Sequence, residues 1–321
     1  CAALLGLSYN IKYKDMLKGA VDSISSAMGA LIILLLIGSL AGTWMMSGIV
    51  PSMIYFGLKL LSPTIFLVAA CIICSIVSLA TGSSWSTIAT IGIAMLGIGN
   101  ALGIPEGLTG GAIISGSYFG DKMSPLSDTT NLAPAMAGTD LISHIKYMML
   151  TTIPSITITL IIFLIIGLNL DTQVGQLNQI ESLQKALFSS FNISLWTFIV
   201  PAAVIFMIIK KVPAIPALLF GSTAGGIYGA IFQPDIIHEI SGNLSNSGFQ
   251  YLKNSYIAII NSMTIDVNIQ TSNIAVNDLI STSGMSGMLN TIWLIICAMS
   301  FGGIMEKTGF LNKITSSLLE F

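Results

Sequence analysis

The chain has 321 residues, of which 54% are hydrophobic and 8% charged, whereas a soluble domain carries about 25% charged residues. A soluble globular protein is thereby excluded. The net charge of −2 is too small to recruit nucleic acid, and all 12 basic residues are lysines, which disfavours an arginine phosphate clamp.

Taken in chain order, the opening CAALLGLSY reads as the tail of a helix already under way, with no signal peptide. A lysine-bearing loop (Lys12, Lys14, Lys18) follows, then Met28–Leu61, an apolar stretch interrupted by GTWMMSG and Pro51. Pro63–Leu102 is interrupted at Thr81–Ser86, and Glu106–Asn131 is Gly-rich and short of a full span. Ile142–Leu168 is a complete span, and Asn169–Asn192 is a polar segment. Spans over Ile193–Ile209 and Val212–Phe232 are separated by Lys210 and Lys211. Gln233–Gly287 is polar, with an amphipathic helix near Asn254–Ile280, and a last span covers Met288–Met305. The closing LNKITSSLLEF stops inside an amphipathic stretch, so the expectation is part of a longer protein.

Charge-free runs at Ser23–Leu58, Leu60–Pro105, Tyr147–Leu170, Ala186–Ile209 and Val212–Pro234 satisfy the requirement of about 20 apolar residues per crossing. The fold class is therefore an all-α polytopic membrane protein, in the cell (plasma or inner) membrane with lipid as its surroundings. Lysine bias places Lys210–Lys211, His144–Lys146 and Lys307–Lys313 inside, and Asn169–Asn192 and Gln233–Gly287 outside. Cys71 and Cys74 form a C-x-x-C, but in an apolar run they read as helix- or lipid-facing residues. The small-residue spacings Gly38/Gly42, Gly99/Gly103, Gly116/Gly120 and Gly221/Gly225/Gly229 read as close helix packing.

SLAGTWMMSG at Ser39–Gly48 echoes SFGGIMEKTG at Ser300–Gly309. Transporters are commonly built from inverted repeats that leave such traces. The expected division of the single transporter domain 1–321 is a first repeat over about 23–170, a polar segment over about 233–287, and the start of a second repeat at about 288–321. On that spacing, partners of Thr81 and Asp121 fall beyond Phe321.

Two segments intrude into apolar surroundings: TGSSWST and GDKMSPLSDTTN. Unwound backbone at membrane depth is tolerated only inside protein or along a water-filled cavity, and broken helix ends with hydroxyls suit a desolvated ion. Thr81, Ser83, Ser84, Ser86 and Thr87 in the first segment, with Ser127, Thr129, Thr130 and Asn131 in the second, are candidate ligands. A carboxylate is needed to couple the ion to a proton. An aspartate whose pKa of about 4 is raised by about three units carries protons near neutrality, at a solvation cost of about 4 kcal/mol. Asp128, flanked by hydroxyls and distant from any lysine in sequence, is assigned the Na+ and H+ site; its other reading is a helix cap. Asp121 and Lys122 read as an ion pair which, with Ser124 and Pro125, is structural. No cofactor is called for; the ligands are Na+ and H+, and a homo-oligomer is compatible with the reading.

GTWMMSGIVP, SLATGSSWSTIATIG, GAIISGSYFGDKMSPLSDTTNLAPAMAGTDLISHI and GGIMEKTGFL resemble the NhaC family of Na+/H+ antiporters, from about Gly42 to Gly309. The resemblance implies the ion-transporter superfamily fold: inverted repeats, discontinuous helices and a re-entrant hairpin, with the second repeat incomplete here. It also implies gradient-driven exchange of Na+ against H+. The same family includes malate/lactate antiporters, so proton- or sodium-coupled organic-acid exchange is the alternative; lack of Arg weighs against it. A channel or non-transporting scaffold ranks lower. An enzyme is disfavoured, because YFGD at Tyr118–Asp121 lacks a second deep aspartate and the only histidines, His144 and His238, fall in predicted loops.

Overall fold

In a computed structural model the chain is helical. The structure describes residues 3, 6, 7, 9, 11–170, 174–242, 248–271, 276, 277, 280–311, 313 and 316; for 128, 132, 135–137 and 174–179 it describes the backbone alone. The helices are α1 (Tyr13–Met46), α2 (Ile49–Leu60), α3 (Pro63–Thr81) and α4 (Ser84–Thr87), a π turn (Ile88–Gly92), then α5 (Ile93–Ala101), α6 (Glu106–Met123), α7 (Asp128–Ala137) and α8 (Leu141–Leu168). There follow α9 (Val174–Ser190), α10 (Ile199–Ile209), α11 (Ala214–Phe232), α12 (Pro234–Ser241), α13 (Gly248–Thr264) and α14 (Leu289–Lys307). Among the described residues, α1, α3, α8, α11 and a last helix over Ser286–Lys307 are long and apolar enough to cross a membrane.

The breaks fall where backbone chemistry requires them. Gly48 and Gly82 adopt left-handed φ of 75° and 69°, which costs a glycine little. Ser83 and Ser127 restart the chain as N-caps, their hydroxyls accepting from Ser86 N and Thr130 N. The echo between the two chain regions has a local counterpart. Gly48 N donates to Met45 O and Gly309 N to Glu306 O, with φ of 75° and 73°.

The helix order around the site follows from glycine contacts. Gly116 abuts the Cys71 carbonyl, Gly120 that of Ser75, and Gly82 meets Leu126, so α3 and α6 run side by side in the same direction. Gly92 touches Ile113 and Gly99 touches Thr109, so the α4–α5 arm runs opposite to α6. The chain therefore turns back on itself at Gly82–Ser83. Gly167 of α8 closes against the Thr64 carbonyl at the far end of α3. On the other flank, Gly221 and Gly225 of α11 receive Leu40 and Trp44 of α1, while Trp44 Nε1 donates to Gly221 O at 3.0 Å. Ser39 and Ser222 hydroxyls pair across the same seam at 2.6 Å. The small-residue spacings are thus packing surfaces, and Cys71 and Cys74 are free thiols buried between helices.

Several expectations change. Lys14 and Lys18 lie within α1 rather than in a loop, because the helix starts at Tyr13. The supposedly polar 169–192 segment forms α9, whose buried Leu183, Ala186 and Leu187 share one face at helical spacing. Ile193–Ile209 is not a straight span: a 3-10 turn at Leu195–Phe198 precedes α10, and the arms 180–190 and 195–209 meet at 87°. The amphipathic helix expected near Asn254–Ile280 is α13, ending at Thr264, after which Val267 and Thr282 form an antiparallel bridge. β-Branched residues and asparagines explain that stop. His144 and His238 are helical, not in loops, and His238 is buried.

Buried Gln233 stitches the two kinks together. Its Oε1 accepts from Asn192 N at 3.0 Å, and its Nε2 donates to Ser47 O and Asn192 O at 3.3 and 3.2 Å. Gln233→Leu leaves these backbone groups unpaired, and a loss of about 3 kcal/mol is expected. A lower Tm of the purified protein than for the unmodified one checks it.

Candidate functional site

The two breaks of the polar segments meet. Gly82 packs on Leu126, and the Ser124 hydroxyl donates to Leu79 O at 2.8 Å, fastening the second break to the end of α3. A cavity of about 520 Å³ opens beside them. One wall is Thr81, Gly82, Ser83, Trp85 and Ser86; another is Asp121, Pro125, Leu126, Ser127, Thr129 and Asn131. A third wall comes from the α10–α11 turn, Ile208 and Lys211–Ala214.

Most polar atoms here are held in place. Ser83 Oγ bonds Ser86 Oγ at 3.1 Å and caps α4. Ser127 Oγ bonds Thr129 Oγ1 at 3.0 Å and caps α7. Asn131 Nδ2 donates to the carbonyls of Pro125 and Ser127 at 2.8 and 2.7 Å, which leaves Oδ1 as that side chain's unused acceptor among the described residues. The result is a set of oxygen atoms, the ligand type a hard cation takes.

The sequence candidates separate into groups. Thr81, Ser83, Ser127, Thr129 and Asn131 line the cavity. Thr87 stands behind it, donating to Ser83 O at 2.9 Å, and Thr130 is buried, donating to Asp121 O at 3.1 Å. Ser84 turns toward α6, its hydroxyl donating to Asp121 Oδ2 at 2.9 Å. Asp128 is the first residue of α7, with its backbone at the break; its side chain lies outside the described residues.

Asp121 differs from its expected role. No salt bridge joins it to exposed Lys122; the one ion pair among the described residues is Lys185–Glu181. Successive helix residues point about 100° apart, so Lys122 turns outward while Asp121 faces the cavity and Ser84.

Lys211 is the residue that sequence reasoning missed. It lines the cavity opposite these oxygens and is the one non-glycine with positive φ, 62°, among the described residues. The turn is tight: Lys211 N donates to Ile208 O and Val212 N to Met207 O. A lysine pair in an uncharged run marks a helix end but not which cavity that end closes.

Comparisons with known proteins follow the same lines. The model of the Na+/H+ antiporter family matches residues 116–321. The malate-2H(+)/Na(+)-lactate antiporter of Bacillus subtilis is 40% identical over 98% of this chain and 64% of its own length. The Na(+)/H(+) antiporter NhaC of Alkalihalophilus pseudofirmus is 36% identical over 99% of this chain and 64% of its own. The NhaC protein of Bacillus subtilis is 33% identical over 98% and 65%. The chain thus spans a little under two thirds of these relatives. No solved structure matches it.

Proposed function

Because the chain belongs to the Na+/H+ antiporter family, we propose that it carries the ion-handling half of a secondary antiporter exchanging Na+ for H+ across the membrane. The observation that supports this most is the meeting of two helix breaks, with Asp121 and a set of hydroxyls, around one cavity. The exchange chemistry resides in the carboxylates of Gly120–Asn131. Asp128 alternately takes Na+ and H+, as its hydroxyl neighbours suggest, and Asp121 shares the ion through its place in the cavity wall. Ser83, Ser127, Thr129, Asn131 and Thr81 supply neutral oxygens; Ser84, Thr87 and Thr130 hold the carboxylate and both breaks in register. Discontinuous helices turning back at Gly82 form one re-entrant hairpin of an inverted-repeat fold, the second repeat beginning near residue 288.

The test is Na+-dependent dissipation of a preformed proton gradient in everted vesicles carrying the protein at full length. Competition at one carboxylate requires the half-saturating Na+ concentration to rise as pH falls. A pH-independent value overturns the shared site.

One observation favours a second reading, organic-acid exchange: Lys211 puts a positive charge in the wall of a cavity much larger than a bare ion. At left-handed φ a lysine costs about 1 kcal/mol relative to glycine. Lys211→Gly therefore leaves the fold intact or slightly more stable. If malate or lactate is carried, removing this charge is expected to weaken its half-saturation about tenfold or more, as for loss of a charged hydrogen bond. Unchanged organic-acid dependence, or none in the unmodified protein, removes this reading.

A further inference from the structure

Two residues in the described wall of the Asp121 cavity are charged, and their signs are opposite. Asp121 comes from α6 and Lys211 from the α10–α11 turn; every other lining residue is neutral. No salt bridge joins them. Half-buried Asp121 accepts from Ser84 at Oδ2, and its Oδ1 has no partner among the described residues. Lys211 is exposed and makes neither an ion pair nor a cation–π contact among the described residues. Its neighbours in sequence and in space are placed differently. Lys122 is exposed and does not line the cavity, and Lys210 holds its ammonium 5.5 Å from the centre of the Phe206 ring.

The backbone at Lys211 is the second observation. Among the described residues every other positive φ belongs to a glycine. The turn is closed by main-chain groups alone: Lys210 N donates to Phe206 O at 3.0 Å, Lys211 N to Ile208 O at 2.8 Å and Val212 N to Met207 O at 3.1 Å. Glycine would make the same three bonds at lower backbone cost. What glycine lacks is the side chain. A residue held in a disfavoured conformation points to a role for that side chain, and here it brings a positive charge to the cavity wall.

A carboxylate in a membrane protein calls for a partner. A bound Na+ or proton serves while it is there. Once either has left, Asp121 keeps one neutral hydrogen-bond donor, Ser84, and faces one ammonium across the cavity. A lysine is a compact charge on a flexible four-carbon stem, so it can pair with the carboxylate in one state and stand clear of it in another. The structure shows the clear arrangement.

We propose that Lys211 is a tethered counter-ion: its ammonium moves onto the Asp121 carboxylate when the cavity is empty and is displaced when a small cation binds. Lys211 acts on the ion through Asp121, by competition. The pairing follows from the two wall residues; that the displacing cation is the exchanged Na+ rests on the antiport reading.

Equilibrium binding of radioactive Na+ to the purified full-length protein tests the competition. Lys211→Gly is expected to lower the half-saturating Na+ concentration about two- to fivefold, since no ammonium has to be displaced. Lys211→Arg keeps the charge and should keep the unmodified value. An unchanged or raised half-saturation in Lys211→Gly overturns the proposal, as a lysine serving only an organic anion would give. An equal fall in Lys211→Arg assigns the effect to the turn and overturns it as well. The pair itself is read from Tm in Na+-free solution. Lys211→Gly should shift Tm downward in the unmodified protein relative to its shift in Asp121→Asn, and the relief of backbone strain, common to both, cancels. Saturating Na+ should erase that difference. Equal shifts without Na+, or a difference that Na+ leaves intact, overturns the proposal. Should the unmodified protein move no protons with Na+ in vesicles, the antiport reading fails, while the Tm comparison still decides the pair.

Discussion

Asp121→Asn and Asp128→Asn are each expected to abolish Na+-dependent dissipation of a proton gradient while leaving the protein in the membrane. Asparagine keeps the shape of aspartate, and at position 121 it keeps an oxygen that can accept from Ser84. What disappears is the charge. A neutral amide cannot exchange H+ for Na+, so the loss is qualitative rather than a change in half-saturation. Ser84→Ala makes the opposite change: the charge stays and one hydrogen bond to it goes, worth about 1.5–3 kcal/mol. Its expected effect is a rise of about tenfold or more in half-saturating Na+ with exchange retained. The contrast separates a titrating group from its positioning partner. Retained exchange in both aspartate variants sinks the carboxylate mechanism. Loss in one alone assigns the ion to that residue.

The sequence announced the breaks because they are local chemistry. Gly82 between two apolar helices and Pro125 in the second polar run each act within a few residues, although the cap of α7 is Ser127 and not Asp128, which is its first helical residue. The α8 span was equally plain, a long apolar run opened by Asp140, whose carboxylate accepts from Ile142 N and Ser143 N. What stayed hidden depends on partners far away in sequence. Ser84 reaches Asp121 across 37 positions and Gln233 reaches Ser47 across 186; nothing near either residue names its partner. Adjacency misled at Asp121, where Lys122 looked like a partner but sits on another face of the helix. Lys211 was visible only as a boundary charge, because the wall it forms exists once α10 and α11 dock beside the breaks. Helix α9 was masked by composition: polar overall, it carries just enough apolar residues at one face to fold inward.

The contact of Gly82 with Leu126 carries the second large effect. An alanine methyl at 82 would lie 2.6 Å from the Leu126 carbonyl carbon and 2.8 Å from its oxygen and Cβ. Two of those atoms are backbone, so no rotamer change relieves the contact, and the two breaks must move apart. Overpacking of this kind costs about 1–3 kcal/mol, and alanine at φ 69° adds about 1 kcal/mol more. Displacement matters more than energy here. The Ser124–Leu79 and Ser84–Asp121 hydrogen bonds, at 2.8 and 2.9 Å, cross the same seam, and a shift of about half an ångström weakens both by taking them past the O–H···O range of about 2.5–3.0 Å. Gly82→Ala should therefore lose most Na+-driven proton movement even in the fraction of protein that remains folded. Gly138→Ala is the control: its φ is also 69°, but no described atom lies within 4 Å of the added methyl, so it incurs the backbone cost alone and should keep near-normal exchange. Adding Leu126→Gly to Gly82→Ala removes the Leu126 Cβ but not its carbonyl, and should restore little. Full recovery in that double variant would show that side-chain packing, not the meeting of two unwound backbones, shapes the cavity.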